Sequence, residues 1–200
     1  MNLQLPKPLS GFPVSEPRIP ANDENVDALM ALFNHLFLES ENTVLVRVGD
    51  EPIYLPAGHE GHAHARIGFA HGYFASALHE IAHWCIAGPA RRKQVDFGYW
   101  YAPDGRDAEQ QQAFETLEVQ PQAIEWILAK SAGFRYRVSC DNLLGGPFDL
   151  QAFKQSIHAE VLRRFQTGLA PRTQCLVDAF LEFYQPGKVL VAADFSLADL

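Results

Sequence analysis

Cysteine is scarce in this chain, and what there is does not pair: Cys85, Cys140 and Cys175 are odd in number, far apart and without a CxxC. Neither a disulfide framework nor a cysteine-built zinc site is suggested, and the thiols are expected to be reduced. Basic residues are also in deficit. Lys plus Arg number 16 against 24 Asp plus Glu, a formal net charge of −8, which argues against a general electrostatic grip on phosphate backbones. No direct nucleic-acid partner is expected. Long apolar runs are missing too: no stretch approaches the roughly 18 uninterrupted apolar residues of a membrane span. The first 22 residues carry Pro6, Pro8, Pro13, Pro17 and Pro20 where a secretory signal would need its hydrophobic segment. The expectation is a cytoplasmic protein with no membrane partner.

What is present is enough for one well-buried core, 200 residues of which 48% are hydrophobic. The proline-rich arm, 1–22, is expected to be extended or disordered, and 23–200 to form a single domain. From Asp23, apolar residues at Val26, Leu29, Met30, Phe33, Leu36 and Phe37 have the spacing of an amphipathic helix, running to about Glu39. Short β-branched or aromatic runs at 43–48, 52–55, 65–70 and 95–101 predict strands. Residues 72–87 predict a second helix, the most apolar of the chain, stopped at Gly88-Pro89. Further helices are expected over 107–118, from Pro121 to Gly133, and over 149–168 and 171–184, with 134–148 irregular. The fold class is therefore α+β, a small β-sheet packed with helices.

Histidine is the exception to an ordinary composition, six of eight falling between His59 and His83. Within that crowd, His79-Glu80-Ile81-Ala82-His83 is an HExxH on a segment that independently predicts a helix. Residues i and i+4 stand one above the other on a helix face, about 6 Å apart at Cβ, so two imidazoles can converge on one ion. Glu80 lies roughly 100° around the helix, placed for metal-bound water or a neighbouring ligand and not as a natural third ligand. Left unsatisfied on so apolar a helix, each histidine would cost about 1 to 3 kcal/mol of polar burial, and a bound cation satisfies both together.

A third ligand must come from a following element. Two imidazoles and one carboxylate leave positions open for water, dioxygen or substrate. Asp104, Asp107, Glu109, Glu115, Glu118 and Glu125 are the candidates. Glu118 stands out because Phe114 and Leu117 before it suggest a buried turn. Glu115 precedes it by one turn, and Glu125 follows by two turns if the helix is continuous, so either could replace it. The same layout serves two chemistries: a non-haem iron oxygenase, or a zinc peptidase of gluzincin type with Glu80 as base. No HxD with a distant His and a following Arg is present, so a 2-oxoglutarate requirement is not expected.

Longer blocks carry a specific resemblance. EPIYLPA (51–57), FAHGYFASALHEIAHWCIAG (69–88), the VDFGYWY and PDGRDA segments within 91–108, FE.LEVQPQA.EW (114–126) and VSCDNL (138–143) resemble the elongation factor P hydroxylase family. The resemblance implies a metal-dependent monooxygenase that hydroxylates the β-lysylated lysine of translation elongation factor P, the last step of its modification. It implies a metal held by His79, His83 and Glu118; the two-histidine, one-carboxylate set on a zincin-like helix itself favours Fe2+, with Zn2+ or another divalent ion as the alternative, and Glu80 is the expected catalytic carboxylate.

Around this site, Tyr99 and Tyr101 share one face of a predicted strand and Trp100 takes the other, so one face can line a substrate pocket or simply pack the core. Arg91, Arg92 and Lys93 form the densest basic run and are a candidate docking patch or a solvated loop. Asp141 is a further candidate substrate contact. The proline-rich arm and the HEGHAH of residues 59–64 fall outside the family pattern, and His59, His62 and His64 are expected in a solvated loop.

Overall fold

Apolar residues repeating from Val26 to Phe37 place one face of helix α1 (Val26–Glu41) in the core, in a computed structural model that describes residues 9–13, 19–96, 108–139 and 149–200, the side chains of 108–112 and 114 excepted. Asn22 caps the entry, its Oδ1 accepting the Asn25 N–H at 3.1 Å. Asn42 ends the helix in the left-handed region, its N–H donating to the Phe37 carbonyl.

Three short strands follow as expected: β1 (Thr43–Arg47), β2 (Ile53–Leu55) and β3 (Ala65–Phe69). The order is β1-β3-β2, with β1 parallel to β3 (Leu45 opposite Ile67) and β2 antiparallel to it (Tyr54 opposite Ile67). β3 is central. At Gly68 a Cβ would come within 2.6 Å of Val48 Cγ1 and 3.0 Å of the Ile53 carbonyl, so only glycine lets the strands approach there. On the outer side of β1, Asn34 Oδ1 accepts the Leu45 N–H at 2.7 Å, tying α1 to the sheet edge. Of the strand expected over 95–101, Asp96 bridges Tyr54, with N–H···O distances of 2.7 and 3.0 Å; the remainder lies outside the described residues.

Helix α2 (Phe74–Ile86) lies between β3 and helix α3 (Ala108–Ala132). Its first turn is capped across the fold: the Phe74 N–H donates to Asp23 Oδ1 at 2.6 Å, in front of the positive end of the helix dipole. Its last turn is met by Arg172, whose Nη2 donates to the carbonyls of Cys85 and Ala87 at 3.0 and 2.7 Å, with the guanidinium over the Trp84 ring.

The two helices expected either side of Pro121 are one. α3 runs through the proline, although an interior proline removes a backbone donor and costs about 3 kcal/mol in an isolated helix. Packing outweighs that cost. Every residue from 121 to 129 is buried, and the helix packs on α2, α4 (Leu150–Thr167) and α5 (Pro171–Tyr184). Trp126 is its largest buried side chain, stacked on Tyr136 and meeting Phe195 edge-on, which docks the C-terminal tail.

Of the proline-rich arm, residues 9–13 rest on the core: Leu9 is buried and the Phe12 ring lies 5.7 Å from Phe183 and 5.2 Å from His35. Two large apolar side chains separated by a Ser-Gly turn find partners there despite the prolines. Among the described residues, no helix is long and apolar enough to cross a membrane.

Candidate metal centre

Helical spacing puts His79 and His83 on the side of α2 that faces α3, and α3 answers with Glu118, which is 3% exposed. The two Nε2 atoms are 3.1 Å apart. Glu118 Oε1 is 3.3 Å from His83 Nε2, and its Oε2 is 3.7 Å from His79 Nε2. Two imidazole nitrogens this close are joined either by a shared hydrogen, one ring donating to the other, or by a shared metal ion. Donors about 2.1 Å from one ion, at angles of about 90 to 109°, lie about 3.0 to 3.4 Å from each other, so the 3.1 and 3.3 Å separations match a bound ion and the 3.7 Å one is slightly longer. His79, His83 and Glu118 can thus hold a metal ion, all three donor atoms lying within 4.8 Å of one another. Three protein ligands leave positions open, unlike a closed structural site.

The other candidates fall elsewhere. Glu115, one turn earlier, is not part of the group among the described residues. Glu125 Oε2 instead accepts a hydrogen bond from His79 Nδ1 at 2.8 Å, on the opposite edge of the ring from Nε2. Asp104 and Asp107 lie outside the described residues, as does the side chain of Glu109.

Electrostatically the site is a knot of acids around one imidazole. Burial alone would push the His79 imidazolium down; Glu125, Glu118 and Glu80 more than reverse this and lift it to about 10. Burial pushes the Glu80 carboxyl above the usual carboxylate range, while His79 and His83 hold it down.

Among the described residues, Glu80 lines two cavities beside this helix. The larger, a cleft of about 310 Å³, is walled by His79, Glu80, Glu125, Arg137 and Ser139, with Asp50 and His71 also among its lining residues. The smaller, about 40 Å³, is lined by His83, Glu80, Tyr54, Trp84, Arg91 and Arg92. Gln122, wholly buried, positions one wall of the cleft. Its Nε2 donates to the Ser139 carbonyl at 2.6 Å and its Oε1 accepts from the Ser139 N–H and the Tyr136 hydroxyl. The segment after α3 is thereby fixed with Arg137 and Ser139 at the cleft.

Arg91 and Arg92 are engaged within the chain, Arg91 with Asp96 and Arg92 with Glu41 at 2.7 Å. Tyr99, Trp100, Tyr101 and Asp141 lie outside the described residues. The HEGHAH histidines do not converge: His62 meets Arg66, and His64 Nδ1 meets Asn42 Oδ1 at 2.7 Å. His71 adopts a positive φ of 56°.

Glu125 was a candidate ligand, but its contact with His79 Nδ1 was not anticipated, nor was the place of Gln122. For Glu125 a signal exists, since Glu118 and Glu125 are seven residues apart and share a face of any helix that runs through Pro121. For Gln122 there is none, because its partners come from an irregular segment.

A family model described as elongation factor P hydroxylase matches residues 32–195 of the chain. A Haemophilus influenzae protein named elongation factor P lysine hydroxylase is 50% identical over 175 residues, covering 88% of this chain and 98% of that protein. Both matches include α2, α3 and the cleft between them.

Proposed function

The chain belongs to the elongation factor P hydroxylase family, and on that premise we propose that it hydroxylates the β-lysylated lysine of translation elongation factor P, as the last step of that factor's modification. It is a protein-lysine hydroxylase. The observation that carries the metal dependence is the convergence of His79, His83 and Glu118. These three would hold iron(II), the ion to which a two-histidine, one-carboxylate set with open positions is suited. Bound there, iron supplies the dioxygen chemistry that hydroxylation of an unactivated carbon needs. The helix that carries HExxH is in this respect zincin-like. A soluble, cytoplasmic setting is consistent with a modifier of a translation factor.

The chain's own residues account for the rest. Among the described lining residues, Asp50, Glu80 and Glu125 outnumber Arg137 and the His79 imidazolium, an excess of acid that favours a cationic aliphatic arm. Ala70, Ala75 and Pro52 offer apolar surface to its methylenes. Glu80, on the wall of both cavities and beside both histidines, is placed to take up or deliver a proton at its carboxyl, the catalytic role assigned to it here. Tyr99, Tyr101 and Asp141 are proposed substrate contacts. Arg91 and Arg92, held by Asp96 and Glu41, suit the rim and not the first grip on the arm.

The test is mass spectrometry of β-lysylated elongation factor P after aerobic incubation with iron-loaded protein and a reductant. Addition of one oxygen to the modified lysine is expected. A protein inert in that assay with iron, and active on casein with zinc, would overturn the proposal in favour of a gluzincin peptidase.

A further inference from the structure

Helix α3 presents two carboxylates to one imidazole. Glu118 and Glu125, two turns apart, bracket the His79 ring: Glu118 approaches Nε2 at 3.7 Å, on the side shared with His83, and Glu125 meets Nδ1 at 2.8 Å on the other edge. The opposite edges of an imidazole diverge, so a group bonded to Nδ1 cannot also reach an ion on Nε2. Glu125 is therefore excluded from the ligand set by the same contact that gives it a task. We propose that Glu125 is the positioning residue of the metal centre. It holds the Nδ1–H of His79, fixes the tautomer that leaves Nε2 as the ligating atom, and strengthens that nitrogen as a donor. The inference rests on the metal-dependent reading above.

Three observations support it. Glu125 is 6% exposed, and a carboxylate buried to that degree needs a strong partner. The partner it has is a ring nitrogen that ligation through Nε2 leaves over, which is how histidine ligands are oriented when a carboxylate takes their second N–H. The contact is also asymmetric. The ion pairs of His83 among the described residues are made through Nε2, to Glu118. The two histidines are then unequal ligands: His79 is clamped from both ends by α3, and His83 is held from one. The plain alternative is a buried ion pair that keeps α2 on α3, which would affect stability and leave the metal untouched.

The experiment separates the two. Anaerobic titration of metal-stripped protein with iron(II) against a competing chelator gives the affinity of wild type, Glu125→Gln and Glu125→Leu. Glu125→Gln keeps an acceptor for Nδ1–H and loses the charge, and Glu125→Leu loses both. Affinity is expected to fall by about 10- to 100-fold in Glu125→Leu, with Glu125→Gln between it and wild type. The visible spectrum of the cobalt(II)-loaded protein is expected to change in Glu125→Leu, because the His79 ring is no longer held, an effect a purely structural ion pair would not produce. Circular dichroism of each variant keeps loss of fold separate. Equal affinities and identical cobalt spectra in all three proteins would overturn the proposal while leaving the metal site standing. So would an affinity loss that only tracks lost helicity. Failure of wild type to bind iron(II) or cobalt(II) at all would overturn both this proposal and the reading beneath it.

Discussion

Two groups of histidines stand within one short stretch of this chain, and they show what separates a composition from a site. His59, His62 and His64 lie in a turn-rich loop where Gly58, Glu60 and Gly61 take positive φ, and the imidazoles of His62 and His64 meet different partners. His79 and His83 lie on a helix, where a four-residue interval fixes two rings on one face, 4.7 Å apart at their centroids. The loop has more histidines, but no rigid element directs them to a common point. The helix has fewer, and a second helix supplies a buried acid opposite them. Convergence, and not abundance, makes a metal centre.

The contrast can be broken most decisively at the ligands. His83→Ala and Glu118→Ala are each expected to reduce metal content from about one ion per chain to background, with helicity retained, as read by elemental analysis and circular dichroism. Next in size is the effect of pH on the helix site. The His79 imidazolium persists up to about 10, against an ordinary value of 6.5, so an incoming ion must displace its proton. Metal affinity should therefore rise with pH across that window, by at most about tenfold per pH unit for one displaced proton. The sign for folding is opposite. In metal-stripped protein, the stabilisation from this raised group is complete below pH 6.5 and lost as pH climbs toward about 10. Glu115→Ala, one turn from Glu118, should leave metal content at the wild-type level, and loss of the ion there would place the third ligand on another turn. The smallest effect is reserved for the loop. Replacing His59, His62 and His64 together by alanine is expected to change stability by no more than about 0.5 kcal/mol per site and to leave one tightly held ion per chain.

The same principle explains what could be read in advance. The periodicities of α1, α2, α4 and α5 and the runs of the three strands reflect local chemistry, and the elements lie within two or three residues of expectation. The metal helix was legible because HExxH is a local pattern on a local structure. Pro121 misled, because its helix-breaking chemistry is local whereas the burial of residues 121 to 129 that overrides it comes from three other helices. Strand order was not legible for a similar reason: β1 and β3 pair directly in parallel although β2 lies between them in sequence. Asp23 opens the first helical turn behind the Asn22 cap, as expected, but its side chain also caps α2, fifty-one residues away, which no local pattern signals. Glu118 could be singled out by its apolar neighbours, but the division of labour between Glu118 and Glu125 depends on how α3 crosses α2, which neither sequence segment encodes alone.

In the proposed metal centre one ion is held by His79, His83 and Glu118 together. Iron(II) stoichiometry under anaerobic conditions tests it most directly, measured in parallel on wild type, Glu118→Ala and the triple variant of His59, His62 and His64. About one tightly bound ion per chain is expected in wild type and in the triple variant, and none in Glu118→Ala. Retention of the ion in Glu118→Ala, or its loss in the loop variant, would contradict it.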